Sequence, residues 1–200
     1  MNFFQYFLLI LLISENLSQD TFSIVAVDPV TQEVGSAGAS CINGSIIISD
    51  VHPGVGAVHT QSYWIAENQN LGNEYMNLGY SPEQIIDSLV ENDIQNNPDV
   101  RQYGVVDLID GGRSAGFTGE NCFDYKGHIT SPTYSIQGNI LLGEEILNQM
   151  EYNFLITQGN LKNVEKNSKY VAIFTSLINF FLSLYLWYSF DSSTSDFQFI

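Results

Sequence analysis

Basic residues are scarce in this chain: Lys plus Arg total 6 against 22 Asp plus Glu, a formal net charge of -16. Such a balance repels phosphate backbones and argues against nucleic acid as a partner. It reads most simply as charge that keeps the protein in solution. Cysteine is nearly absent. Cys41 and Cys122 are too few for a disulfide scaffold, although an exported protein could join them in one bridge or keep two separate buried thiols. No internal repeat, low-complexity segment, phosphate-cradling glycine loop, Gly-x-Ser-x-Gly elbow or Cys-His pair occurs. Asp50, His52 and His59 are spaced unlike any zinc pattern, so neither a metal nor another cofactor is expected.

What is present begins with an apolar run, FFQYFLLILLI, interrupted only by Gln5 and followed by polar residues from Ser14 to Asp20. That layout is a secretory leader without a basic n-region, and the small-residue rule for cleavage is met best after Ser18. Residues 1–18 are therefore expected to be removed and the protein exported. An uncleaved anchor is the alternative, disfavoured because the apolar core is shorter than the ~20 residues a span needs.

Directly behind the leader, TFSIVAVDPVTQEVGSAGAS at 21–40 reads as a β-hairpin, with strand 21–27, a turn at Asp28-Pro29 and a return strand 34–40. SIIIS at 45–49 and VGAVHTQ at 55–61 read as two more strands. A mixed pattern from Trp64 to Leu78 predicts a helix. Ser81-Pro82-Glu83-Gln84 predicts a second one, with Ser81 as cap, Pro82 in the first turn and Gln84 closing a capping box. A second hairpin follows, 102–109 and 113–118 around Asp110-Gly111-Gly112. Then come a strand at 134–142 and a helix from Glu144 to about Phe154. Strands, then helices, then strands predict an α+β layered domain over 19–154.

The remainder, 155–200, is atypical. Val171 to Phe190 runs twenty residues without a charge, which fits a membrane span with interfacial aromatics, a buried core pair or an aberrant tail.

The strings at 21–40, PGVGAVHTQ at 53–61, RQYGVVD at 101–107, GFTGENC with Gly127-His128 at 116–128, and YSIQGNIL at 134–141 together resemble the bacterial domain-of-unknown-function family numbered 1028. That family is grouped with the N-terminal-nucleophile (Ntn) hydrolases. The resemblance covers about residues 21–154 and implies a four-layer αββα sandwich. Past Phe154 the chain departs from the family pattern, as a truncated or aberrant member would.

In the Ntn arrangement the first residue's hydroxyl attacks a carbonyl while its own α-amine takes the proton. The resemblance aligns Thr21 with that nucleophile, but Asp20 stands before it. Either a second cut after Asp20 exposes the amine or Thr21 is an ordinary strand residue. Asn139 is the candidate oxyanion donor, the alternative being an Asn that satisfies a turn beside Gly138. His59 and Gln61 are candidate substrate contacts, with a hydrogen-bonded structural role the alternative for His59. Arg101 is a candidate for binding a ligand carboxylate or, otherwise, for pairing with an acidic side chain. The expected activity is hydrolysis of a small amide or peptide bond. A non-catalytic periplasmic or surface binding module, tethered through 171–190 or free, and a non-functional fragment are the competing readings.

Overall fold

The computed structural model describes residues 20–40, 42, 44–161 and 198–199. The expected leader, the apolar stretch 171–190 and Cys41 lie outside the described residues. No helix among the described residues is long and apolar enough to cross a membrane.

β1 (Thr21–Asp28) and β2 (Glu33–Ser40) form the expected hairpin. Asp28 holds its turn by accepting from the amides of Val30 at 2.9 Å and Thr31 at 3.2 Å. SIIIS does not continue as a strand. Gly44, left-handed at φ 76°, opens a single 3-10 turn over Ser45–Ile48, and only then does β3 (Ser49–His52) begin. A 3-10 turn puts positions i and i+3 on one side, so Ser45 and Ile48 are buried while Ile46 and Ile47 face outward. Local isoleucine propensity loses here to a turn that buries one of the three.

β4 (Gly56–Ser62) leads to α1 (Ala66–Asn77) and α2 (Pro82–Glu91). Both halves of the predicted capping box are formed between Ser81 and Gln84. The second hairpin is β5 (Arg101–Asp107) with β6 (Arg113–Thr118). β7 (Gly127–Ser131) was not expected: GHITS has a single apolar residue and no alternation to mark it. β8 (Tyr134–Asn139) ends where Ile140 takes φ 60°, a costly conformation for a β-branched residue. α3 (Glu144–Leu161) runs past Phe154, and β9 (Gln198–Phe199) pairs with the end of β2.

The strands make two antiparallel sheets, β7-β8-β1-β2-β9 and β3-β4-β5-β6. β1 packs on β4 and β5, and β8 on β5, so the sheets lie face to face. Strand alternation divides each sheet into two faces. The outer face of the first carries Phe22, Ile24, Ala37, Tyr134 and Ile136 against Leu147, Met150 and Phe154 of α3. The outer face of the second carries Val58, Tyr103 and Val105 against Met76 of α1 and Ile85, Ile86 and Leu89 of α2. At about 1.5–3 kcal/mol for each large apolar side chain buried, these outer layers dominate the stabilisation. The α+β class follows directly.

Between the sheets the filling is divided. At one end lie Val25, Val27, Val34, Ala57 and Val106. At the other end the inward positions are Thr21, Ser23, Ser40, His59, Gln61, Gln102, Gln137 and Asn139, all buried. Gly104 makes room for this polar half: a Cβ there would sit 2.1 Å from Gln137 Oε1, which reaches across from the opposite sheet. Gly35 has no atom within 4 Å of its would-be Cβ. Gly104→Ala is therefore expected to destabilise by about 1–3 kcal/mol, read as a lower urea midpoint at unchanged slope. Gly35→Ala should leave the midpoint near that of the parent.

Candidate functional site

Thr21 opens β1 in the middle of the first sheet, flanked in register by Ser40 on β2 and Asn139 on β8. It is 9% exposed, and its Oγ1 lies 2.8 Å from Ser40 Oγ. On the facing sheet the corresponding row is Gln61, Gln102 and Thr118, neighbours across β4, β5 and β6. Two hydroxyl and amide rows thus confront each other, with no charged side chain between them among the described residues.

The directions of the hydrogen bonds that run from Gln102 through this layer follow from two backbone carbonyls. Gln102 Nε2 donates to Gly138 O at 2.8 Å and Gly127 O at 3.0 Å, which engage its two hydrogens, and Thr118 Oγ1 lies 2.9 Å from the same nitrogen. A carbonyl only accepts, so the amide orientation of Gln102 is settled by its surroundings. Its Oε1 must then accept, from Gln61 Nε2 at 2.7 Å and Asn139 Nδ2 at 2.9 Å. That turns Gln61 Oε1 toward Ser23 Oγ, which donates to it at 2.6 Å. Ser23 Oγ in turn accepts from Gln137 Nε2 at 2.7 Å, and the same nitrogen approaches His59 Nδ1 at 3.4 Å.

Because an amide nitrogen donates, His59 Nδ1 accepts and Nε2 carries the proton. Nε2 then donates to Ser36 Oγ at 2.6 Å, and Ser36 to Ser49 Oγ at 2.6 Å. Ser36 and His59 have the spacing of a nucleophile and its base, but the proton stands on the wrong nitrogen for His59 to take one from Ser36. Burial pushes the His59 pKa down to about 3, so the imidazole is neutral near pH 7. No buried side-chain polar atom among the described residues lacks a partner.

Four of the expected site residues, Thr21, Asn139, His59 and Gln61, therefore meet in one inter-sheet layer. Arg101 does not join them. Alternation places it on the outer face of β5, where Nε donates to Asp93 Oδ2 at 2.7 Å, Nη2 to Gln95 Oε1 at 2.9 Å, and Nη1 to the Tyr63 carbonyl. Burial pushes the Asp93 pKa upward, yet the Arg101 bond and bonds from the Asn97 amide, Asn68 and the Gln95 amide outweigh it and hold the carboxyl far below its usual range. Arg101 is thus paired with an acidic side chain. The Cys122 thiol is buried and donates to Arg101 O at 3.2 Å, while Cys41 lies outside the described residues.

Ser23, Ser40, Gln102, Thr118 and His128 were not among the residues singled out from sequence. The signal available was polar residues at period two, Thr21/Ser23, His59/Gln61 and Ser135/Gln137/Asn139, in strands whose alternate positions are mainly apolar.

Residues 21–166 match the sequence model of DUF1028, described as a family of unknown function. The crystal structure of protein SPO2555 from Silicibacter pomeroyi, a DUF1028 protein, superposes with a TM-score of 0.66 over 80% of this chain and 70% of that one, at 22% identity, a likeness of fold. A separate similarity, 57% identity over 42 residues, is to NADH-ubiquinone oxidoreductase chain 4 of Mycosarcoma maydis. It covers 21% of this chain and 9% of that protein, so the chain spans less than a tenth of that relative.

Removing the Arg101 charge would strand Asp93. Arg101→Leu is expected to cost about 3–5 kcal/mol, measured by urea unfolding at neutral pH. The His59 shift carries a pH dependence. With its folded pKa at about 3 and its unfolded value near 6.5, the unfolded chain binds the extra proton between them. Stability is therefore complete above about pH 6.5 and falls as pH drops, by at most about 1.4 kcal/mol per pH unit. Asp93, with a depressed folded pKa, adds its own loss only below about pH 4. His59→Gln should flatten the stability curve between about pH 4 and 6.5 without removing the loss below it.

Proposed function

The chain belongs to the DUF1028 family of unknown function, and from that membership we propose an exported amide hydrolase in which Thr21 acts as an N-terminal nucleophile on the four-layer αββα sandwich of the Ntn hydrolases. The observation that carries this reading is the placement of Thr21. It begins the central strand between Ser40 and Asn139, its hydroxyl held 2.8 Å from Ser40 Oγ. Gln102 turns the Asn139 nitrogen, rather than its oxygen, toward the network, which leaves Asn139 with an N–H to offer an oxyanion.

Among the described residues the layer around Thr21 holds no charged side chain, which suits a neutral carbonyl better than a phosphate or carboxylate ligand. Gln61 and His59 act here by bracing the two sheets, through Ser23 and Ser36 of the sheet that carries the nucleophile. The step requires a free amine. Cleavage after Ser18 alone would leave the Thr21 nitrogen in its peptide bond to Asp20, so a second cut after Asp20 belongs to the proposal.

That same peptide bond, together with the low exposure of Thr21, favours one rival: a binding module using the sandwich as a scaffold outside the cytoplasm, tethered through 171–190 or free. Intact-mass measurement and N-terminal sequencing of the exported protein separate the two. The hydrolase reading expects a chain starting at Thr21 and labelled there by an acylating probe. Labelling should rise with pH through the α-amine pKa of about 8, disappear in Thr21→Ala and persist in Thr21→Ser. A mature chain that begins at Gln19 and stays so would sink it.

A further inference from the structure

We propose that Tyr63 and Phe123 form a substrate-selecting rim at the Thr21 end of the sandwich, and that the substrate is a neutral amide carrying an aromatic or large aliphatic group beside the bond. Which bond is cut rests on the hydrolase reading above; what flanks that bond is set by the two rings. Tyr63 comes two residues after Gln61, where β4 ends, and Phe123 lies in the loop that follows Thr118, where β6 ends. Gln61 and Thr118 belong to the row that faces Thr21. The Phe123 carbonyl also accepts at 3.0 Å from the amide of Ile140, next in the chain to Asn139, the register neighbour of Thr21. Both rings therefore stand at the end of the inter-sheet layer where Thr21 lies.

The ring centroids are 6.1 Å apart, with the planes tilted at 42°. Tyr63 is 50% exposed and Phe123 56%, and neither is part of the apolar clusters that seat the helices or close the far end of the sandwich. The fold gains little from them. A single exposed aromatic side chain is ordinary, but two in contact beside a layer of hydroxyls and amides present apolar surface that a ligand can cover. The polar layer meets the amide, and the rings meet its flank. An acidic flank would be poorly served there: among the described residues Arg101 is already engaged by Asp93 at 2.7 Å and Lys126 by Asp124 at 3.1 Å.

The backbone under both rings is fixed. Ser62 takes φ 70°, a costly conformation for a residue with a Cβ, so the chain leaves β4 there and presents Tyr63. The Tyr63 amide donates to Val100 O at 3.4 Å, and its carbonyl accepts from Arg101 Nη1. On the other side the carbonyl of Arg101 accepts from the Gly119 amide at 2.9 Å and the Cys122 thiol at 3.2 Å. Lys126 Nζ donates to the carbonyls of Glu120 at 2.8 Å and Cys122 at 2.9 Å, closing the loop that carries Phe123. Arg101 thus holds the chain behind both rings, which gives its buried charge a use at the rim without any contact to a ligand. Groups held in place before binding lose little freedom on binding, so a small contact suffices to discriminate.

The test is a ligand-observed NMR titration of the purified exported protein, and of its Thr21→Ala form, with N-acetyl-phenylalaninamide, N-acetyl-leucinamide and N-acetylglycinamide. The phenylalanine compound is expected to bind about tenfold more tightly than the glycine compound, as covering part of one large apolar side chain allows, with the leucine compound between them. Replacing both rings, Tyr63→Ser with Phe123→Ser, should remove that preference while the urea midpoint stays near that of the parent, because both side chains are exposed. Tyr63→Phe should keep it. Equal affinities for the three amides, no binding by any of them, or a preference undiminished in the double variant would overturn the proposal. Binding is read apart from turnover, so the two failures differ. A preference without acylation of Thr21 leaves the rim standing and removes the hydrolase, whereas acylation without a preference removes the rim alone.

Discussion

The carboxamide of Gln102, pinned to the carbonyls of Gly127 and Gly138 across the gap between the sheets, is the contact on which the polar half of this protein depends. A buried amide of free orientation would leave its neighbours with several near-equivalent arrangements. Here backbone acceptors remove that freedom. The choice propagates through Gln61, Ser23 and Gln137 to His59, Ser36 and Ser49. Each member is both donor and acceptor, so one fixed end orders the whole line.

Such a layer is expensive unless fully satisfied, and it replaces the apolar filling that sheet-on-sheet packing ordinarily uses. The fold tolerates it because stability is drawn from elsewhere. The two outer interfaces with the helices are apolar, and the far end of the inter-sheet space is closed by valines and alanine. The sandwich therefore has a stabilising end and a chemically equipped end, and Thr21 belongs to the second. Among the described residues its inter-sheet surroundings hold hydroxyls and amides but no charged side chain.

Proximity alone would mislead in this layer. Ser36 and His59 stand at the separation of a catalytic pair, yet the donated proton from Gln137 assigns the imidazole the tautomer that gives rather than takes.

Much of the backbone was legible from local signals alone. The capping box at Ser81 and Gln84, the Asp28 turn, the 113–118 strand and the small-residue return strand all rest on interactions within a few residues, which sequence states directly. The motif strings also placed the chain in its family. β7 escaped because GHITS is held by its neighbour β8 rather than by its own pattern, and the three isoleucines at 46–48 misled because a turn, not propensity, governs them. Arg101 reads equally as a ligand contact or an ion pair until Asp93 is seen beside it. The convergence of Gln61, Gln102, Gln137 and Asn139 could come only from tertiary structure. The central strands β1, β4, β5 and β8 are covered on both faces, so period-two alternation separates the faces without saying which one meets the other sheet. The register between sheets, set by residues far apart in the chain, made that choice.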